Sequence, residues 1–230
     1  MRIAESGDRV LCEGTGGWTI NESDEYAVEQ GVTTKAPLGA TLTATALTVG
    51  PLVSQEALYI ALAKGADKAV RIDSDISDPQ RLAGVMARAV ERLGYDLILT
   101  GVESSDYLGA QVGTLLATRM GIASAYAVTA VEFSPDRKSI RVTKELRGGA
   151  SQYLEMELPA LLSIQYGMHP LSYVSPRRLL SARSQLAETL TLPELGLVPL
   201  ESQSKTVLSC RSSLFSQKIS SATQEVTRKP

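Results

Sequence analysis

Apolar and polar positions in the first half of the chain spell strand, helix, strand, helix. Leu42–Val49 is β-branched and small and ends at Gly50-Pro51, which predicts a strand. Ser54–Lys64 sets Ala57, Leu58, Ala61 and Leu62 at helical spacing, with Ser54 as N-cap and Gly65 as C-cap. Lys68–Ile72 predicts a second strand. Pro79–Leu93 gathers Leu82, Val85, Met86, Ala89, Val90 and Leu93 on one helical face and stops at Gly94. Leu97–Leu99 predicts a third strand, and Gln111–Met120 a helix closed by Gly121. Such alternation implies βαβ crossovers and a parallel sheet, with ligands outside the carboxyl ends of its strands. Gly50-Pro51 and Gly101–Gly113 both fall at carboxyl ends and should line one crevice.

The pattern then changes. Ala127–Phe133, Ile140–Leu146, Tyr153–Glu157 and Leu161–Gln165 read as strands, punctuated by Pro135-Asp136 and Gly148-Gly149 in hairpin fashion. They should extend the sheet with antiparallel strands. From Gly167 the chain turns loop-like through Pro170 and Pro176, then enters a short helix, Arg177–Ala182. Beyond Gly196 it is rich in Ser, Gln and Lys, so Ser202–Pro230 is expected to be weakly ordered or an arm needing a partner. The expected organisation is an α/β unit over 1–166, a loop and arm over 167–198, and a tail over 199–230.

Composition narrows the function. A chain of 230 residues with 43% hydrophobic content sustains a sizeable core. A net charge of −2 and 5% aromatics argue against a nucleic-acid binder. No apolar run is long enough for a membrane span, and the first residues hold no signal core, so a cytoplasmic protein is expected. Cys12 and Cys210 are far apart, and His169 is the only histidine. A His/Cys zinc site is therefore not expected, and neither is a Ser-His-Asp or Cys-His hydrolase.

Candidate chemistry concentrates between Tyr95 and Met120. A short strand, a small-residue loop with one acid (Asp106) and a helix start form a place where an anion can sit on free backbone N–H groups. Taken alone, Asp106–Thr114 is an ordinary loop with a helix cap.

Several motifs in order resemble the β subunit of electron transfer flavoproteins, within the adenine-nucleotide α-hydrolase-like fold group. Asn21-Glu22-Ser23-Asp24-Glu25-Tyr26-Ala27-Val28-Glu29 resembles the family's Asn-Pro-Phe-Asp-Glu-Tyr-Ala-x-Glu segment. Gly50-Pro51, Gln55-Glu56-Ala57-Leu58 and Ala61–Asp67 follow the next family stretch, and Tyr95–Gly101 with Ala110-Gln111-Val112-Gly113 the one after. Lys144, Gly148-Gly149, Gln152 and Pro159–Ser163 carry the signature, and Glu188–Gly196 closes the match. Each motif alone is weak; the combination is specific. Three departures stand out. The family's opening strand, of the Val-Lys-Gln-Val-Pro-Asp type, is absent, which implies a late start codon or a truncation. Arg147 replaces a preferred acid, and the final residues do not resemble the family's helical tail.

The resemblance implies a three-layer, mostly parallel α/β fold. It also implies a heterodimer with an α subunit that holds or shares FAD, passing electrons from a flavin dehydrogenase to a quinone oxidoreductase or ferredoxin-type acceptor. A second nucleotide would sit in this chain, touched by Asn21, Glu22, Ser23, Asp24, Asp106, Tyr107, Leu108, Gly109, Ala110, Gln111, Val112, Gly113 and Thr114. Val49 and Gly50 would contribute backbone only, and Asn21–Asp24 would double as a helix N-cap. AMP-type members carry Asn and Thr where Ala110 and Val112 stand, and these two side chains cannot donate hydrogen bonds. The Ala-Gln-Val-Gly form resembles bifurcating members with a second FAD, yet Tyr107 replaces their Gly. FAD, AMP or neither stays open, with a slight lean to FAD.

Tyr173, Pro176, Arg177, Arg178, Leu179 and Leu180 match the family's partner-recognition loop and helix, with Pro176 where a Leu anchor stands in AMP-type members. The blander reading is a solvated basic turn, with Leu179, Leu180 and Ala182 packing inward. No residue forms a convincing acid–base pair or nucleophile, and electron transfer needs none. The rival readings are a universal-stress-type nucleotide sensor and, last, an ATP-pyrophosphatase.

Overall fold

The computed structural model describes residues 2–3, 10–11, 19–38, 42–105, 108–185, 187–198 and 224–228. In chain order the strands are β1 (Arg2–Ile3), β2 (Val10–Leu11), β3 (Thr45–Gly50), β4 (Lys68–Asp73), β5 (Leu97–Gly101), β6 (Ala123–Phe133), β7 (Ser139–Glu145), β8 (Ala150–Glu157), β9 (Ala160–Ile164), β10 (Glu188–Thr191) and β11 (Gln224–Arg228). The helices are α1 (Glu22–Leu38), α2 (Gln55–Lys64), α3 (Pro79–Leu93), α4 (Val112–Met120) and α5 (Pro176–Arg183).

The expected elements form, with differences at their ends. α3 has the expected bounds because Pro79 opens it behind Asp78, whose carboxylate accepts from the Arg81 N–H at 2.8 Å, and Gly94 ends it. α4 ends at Gly121, which takes the left-handed conformation (φ 67°). Ser54 does not cap α2 through its side chain; its hydroxyl donates back to Pro51 O at 2.8 Å inside a 3₁₀ turn, Leu52–Ser54. α1 starts at Glu22, so Asn21–Asp24 is its entry and first turn, with Asn21 O accepting from Glu25 N at 2.9 Å. β10, not expected from the pattern, adds parallel to β4 from Glu188↔Val70 to Thr191↔Asp73.

Among the described residues the parallel strands do not make one continuous sheet. A three-stranded, wholly parallel sheet has the order β10-β4-β3, and a six-stranded sheet the order β11-β8-β7-β6-β9-β5. In the larger sheet β5, β9 and the start of β6 run parallel, and β6 to β8 form the expected antiparallel meander. A bulge marked by Ala127 (φ 59°) separates the two halves of β6. β11 adds antiparallel to β8. Most of Ser202–Pro230 lies outside the described residues, as do Cys12 and Cys210.

Side-chain alternation builds the layers. Ala160, Leu162 and Ile164 of β9 join Ala27 of α1 in one cluster, whereas Leu161 joins Ala83, Ala87, Leu116 and Ala117 of α3 and α4 in another. In the smaller sheet Val70 and Ile72 face Val85 and Ala89 of α3, while Ala69 packs with Leu58 and Leu62 of α2 and Ala182 of α5. α3 thus packs against both sheets, and helices cover both faces. No helix among the described residues is long and apolar enough to cross a membrane, and no metal-holding cluster of His, Cys, Asp and Glu occurs among them.

Candidate functional site

β3 and β5 are the facing edges of the two sheets; neither has a further strand partner among the described residues. Between them lies a cleft of ≈ 2070 Å³ that all of β3 and β5 line, with α1, α3 and the 109–113 loop closing it. Gly50-Pro51 and Gly101–Ser104 meet there with Gly109–Gly113, so the two carboxyl-end loops do line one crevice. Val28 and Gly31 of α1 and Leu82, Met86 and Val90 of α3 supply its apolar walls.

α1 is stitched to the loop after β5. Asn21 Nδ2 donates to Glu103 O at 2.8 Å, and the Ser23 hydroxyl donates to the same oxygen at 2.6 Å. Asn21 Oδ1 accepts from Ser105 N at 3.0 Å and from the Ser105 hydroxyl. Asp24 Oδ1 accepts from Gly101 N at 2.7 Å, and its Oδ2 accepts from Asn21 Nδ2 at 2.9 Å. Burial pushes the Asp24 carboxyl above its ordinary range, and the Asn21 amide and Gly101 N–H offset only part of that. Asn21, Ser23 and Asp24 therefore spend much of their polar capacity on the protein's own loop, while Asn21 and Asp24 also border the cleft. Glu22 is exposed and does not line it.

The glycines divide into two kinds. A Cβ on Gly101 would lie 2.2 Å from Ser23 Oγ and 2.7 Å from Asp24 N. One on Gly113 would lie 2.9 Å from both Ser163 Oγ and Thr100 Oγ1, which are themselves hydrogen-bonded at 3.1 Å. One on Gly50 would meet Ser54 Oγ at 2.7 Å. These three let the chain approach itself. Gly109 differs: nothing among the described residues lies within 4 Å of its Cβ position.

The loop before α4 has the form of an anion cradle. Leu108 (φ 49°) and Ala110 (φ 50°) are left-handed without being glycine, a conformation costing roughly 1–3 kcal/mol per residue. Gln111 is right-handed, and a left-handed residue followed by a right-handed one is the backbone form that lets successive N–H groups gather as a nest. The first internal helix bond runs from Leu115 N to Gln111 O at 2.9 Å. The N–H groups of Val112, Gly113 and Thr114 take no acceptor among the described residues. Gln111 makes no side-chain cap, and Ala110 and Val112 offer no side-chain donor. Backbone N–H groups and a helix dipole in a small-residue loop fit a nucleotide phosphate. Asp106 and Tyr107 lie outside the described residues.

The structure groups Asn21, Asp24, Val49, Gly50 and Gly109–Gly113 around the cleft. It does not bring the other set there. Tyr173 is 79% exposed, and Pro176, Arg177 and Arg178 stand exposed at the start of α5. Within α5 only Ala182 is buried; Leu179 is half-buried and Leu180 is 65% exposed. Sequence reasoning missed Glu103, whose carbonyl receives Asn21 and leaves no side-chain signal, and Ser105, whose N–H and hydroxyl meet Asn21 only through the tertiary fold. It also missed Lys64, whose helix-end position reads as an ordinary solvated cation.

The family model described as "Electron transfer flavoprotein domain" matches residues 8–195. The electron transfer flavoprotein subunit β of Methylophilus methylotrophus is 30% identical over 183 residues, covering 78% of this chain and 69% of that protein. The subunit β of Bacillus subtilis is likewise 30% identical, covering 78% and 70%. Protein FixA of Azotobacter vinelandii is 31% identical over 162 residues, covering 67% of this chain and 57% of that protein. With the match spanning α1 to β10, the chain belongs to the electron transfer flavoprotein family, as a β-type subunit.

Proposed function

We propose that the cleft between β3 and β5 holds a nucleotide whose phosphate rests on the 108–114 backbone, and that the chain passes electrons only when paired with an FAD-bearing α subunit. The observation that carries this reading is the meeting in one cleft of two strand ends and the first α4 N–H groups, which take no acceptor among the described residues. Gly109, Ala110, Gln111 and Gly113 would hold the phosphate. Asn21 and Asp24 would fix the loop beside it. Val49 and Gly50 would meet the adenosine through backbone and apolar contact. The flavin supplies the electron uptake and release; the protein supplies binding, orientation and exclusion of water. The fold is read as the adenine-nucleotide α-hydrolase-like type, with 1–166 as the nucleotide domain, 167–198 as the partner-facing arm and 199–230 as a tail. The electron donor would be a flavin-linked dehydrogenase, and the acceptor a quinone oxidoreductase or ferredoxin-type protein. The cytoplasm is the expected compartment.

Loss of side-chain donors at Ala110 and Val112 favours a diphosphate spread along backbone N–H groups over a monophosphate gripped by side chains, hence FAD over AMP. Co-expression with the α subunit, followed by acid release and chromatography of the bound nucleotides, tests this. Two flavins per heterodimer is the expected result. One flavin with AMP would reassign the second nucleotide, and a colourless chain that never pairs would sink the reading.

A further inference from the structure

The segment between β9 and α5 is bolted to the molecule by a buried cation. Lys64, at the end of α2, has a fully buried side chain. Its ammonium reaches Glu25 Oε1 at 2.9 Å, Glu29 Oε2 at 3.1 Å and Ser172 O at 2.9 Å, so all three of its protons find acceptors. Glu29 completes the grip by accepting from Ser172 N at 3.2 Å and from the Ser172 hydroxyl. The carbonyl, N–H and hydroxyl of Ser172 are thus all held by charged groups on two helices. Burial would raise the Glu29 carboxyl, but the Ser172 hydroxyl, the Lys64 ammonium and the Ser172 N–H together bring it below its ordinary value.

The same face of α1 holds the segment at two further points. Tyr26 meets Tyr166 edge-on with ring centroids 6.2 Å apart, and Gln30 Oε1 lies 2.8 Å from His169 Nε2. Beyond the bolt the chain presents exposed Tyr173 and then α5, whose Arg183 pairs with Glu56 of α2 at 2.6 Å. A buried lysine with two carboxylates is costly to desolvate and is weak as a pure stability device. Beside it the segment packs Met168, Val174 and Ala182 against the core clusters.

We propose that Lys64 is a positioning residue that holds 166–183 in the shape in which Tyr173 and α5 meet the electron-transfer partner. This rests on the reading of 167–198 as the partner-facing arm. Lys64→Met keeps the length and apolar stem of the side chain, yet leaves Glu25 and Glu29 facing each other and Ser172 O without its donor. Ser172→Ala removes only the hydroxyl bond.

The test compares both variants with the wild type as heterodimers with the α subunit. Amide hydrogen exchange is read by segment, and steady-state kinetics are measured with the flavin-linked dehydrogenase that reduces the wild-type heterodimer. The expected result is exchange over 166–178 faster by about tenfold or more in Lys64→Met and by less in Ser172→Ala, with β9 unchanged. KM for the dehydrogenase should rise in the same order at unchanged kcat and unchanged flavin content. Unchanged exchange over 166–178, a rise spread equally through β9, or faster local exchange with an unchanged KM would each overturn the proposal. A wild-type heterodimer lacking flavin would instead overturn the proposed function, while the exchange data would still report on the bolt.

Discussion

β9 and β5 are neighbours, parallel, and similar in sequence, Ala-Leu-Leu-Ser-Ile beside Leu-Ile-Leu-Thr-Gly, yet they live in different environments. All five residues of β9 are buried, and all five of β5 are only half-buried. β9 has β5 on one side, β6 on the other and helices on both faces. β5 has a strand on one side and the cleft on the other, and β3 across the cleft is exposed at Thr45 and fully buried only at Gly50. An apolar run therefore sets that a residue is in a strand, and the neighbours set how much of it leaves water. In a parallel sheet an unpaired edge is where backbone groups stay available to a ligand or another strand.

The largest test of this contrast is a pair of truncations. Leu162→Ala in β9 should cost about 2–5 kcal/mol, because a fully buried side chain is lost from packed surroundings. Leu99→Ala in β5 should cost about half as much, since part of its surface already faces the cleft. Urea unfolding of the two variants gives the difference directly, and equal costs would break the comparison.

A second pair sharpens it at the glycines. Gly101→Ala should destabilise by roughly 1–3 kcal/mol, because the new methyl must push the α1 entry off β5. Gly109→Ala should leave stability within about 0.5 kcal/mol while weakening nucleotide binding, since its Cβ enters open cleft space. Thermal midpoints and nucleotide titration separate the two effects.

The smallest expected effects are changes in the shape of the stability–pH curve, from two carboxylates on α1 with opposite signs. Glu29 is held below its ordinary value of 4.5, so it contributes stability above that pH and loses it as pH falls through the folded value. Asp24 is raised above its ordinary 3.8, so it withdraws stability as pH climbs from there through its folded value. Glu29→Gln should therefore flatten the acid limb of a stability–pH curve. Asp24→Asn should abolish this loss of stability with rising pH, because the amide oxygen still accepts from Gly101 N–H, at the cost of the acceptor that Oδ2 gives Asn21 Nδ2. A pH dependence unchanged in Asp24→Asn would show that another group carries it.

Much of the site was legible in the chain because glycine, proline and helix-end chemistry act locally. Gly50-Pro51 and the Gly101–Gly113 loop stood out as strand ends on pattern alone, and Gly50-Pro51, Gly101–Ser104 and Gly109–Gly113 line the cleft. The left-handed Leu108 and Ala110 were not legible, since neither residue type favours that conformation and only the surrounding loop holds it. β10 was missed because a four-residue run, Glu-Thr-Leu-Thr, becomes a strand only by finding the free edge of β4.

By itself the sequence determined most of the alternation of strands and helices, the glycine stops of α3 and α4, and the family, because periodicity, caps and motif order are properties of neighbouring residues. Only the tertiary structure decided that, among the described residues, β3 and β5 stand as facing edges along one cleft. It alone decided that Gly101 is packed against the protein's own α1, and that Lys64 is a buried bolt rather than a surface charge. Each of these depends on what stands across from a residue, and that is set by long-range packing no local pattern encodes.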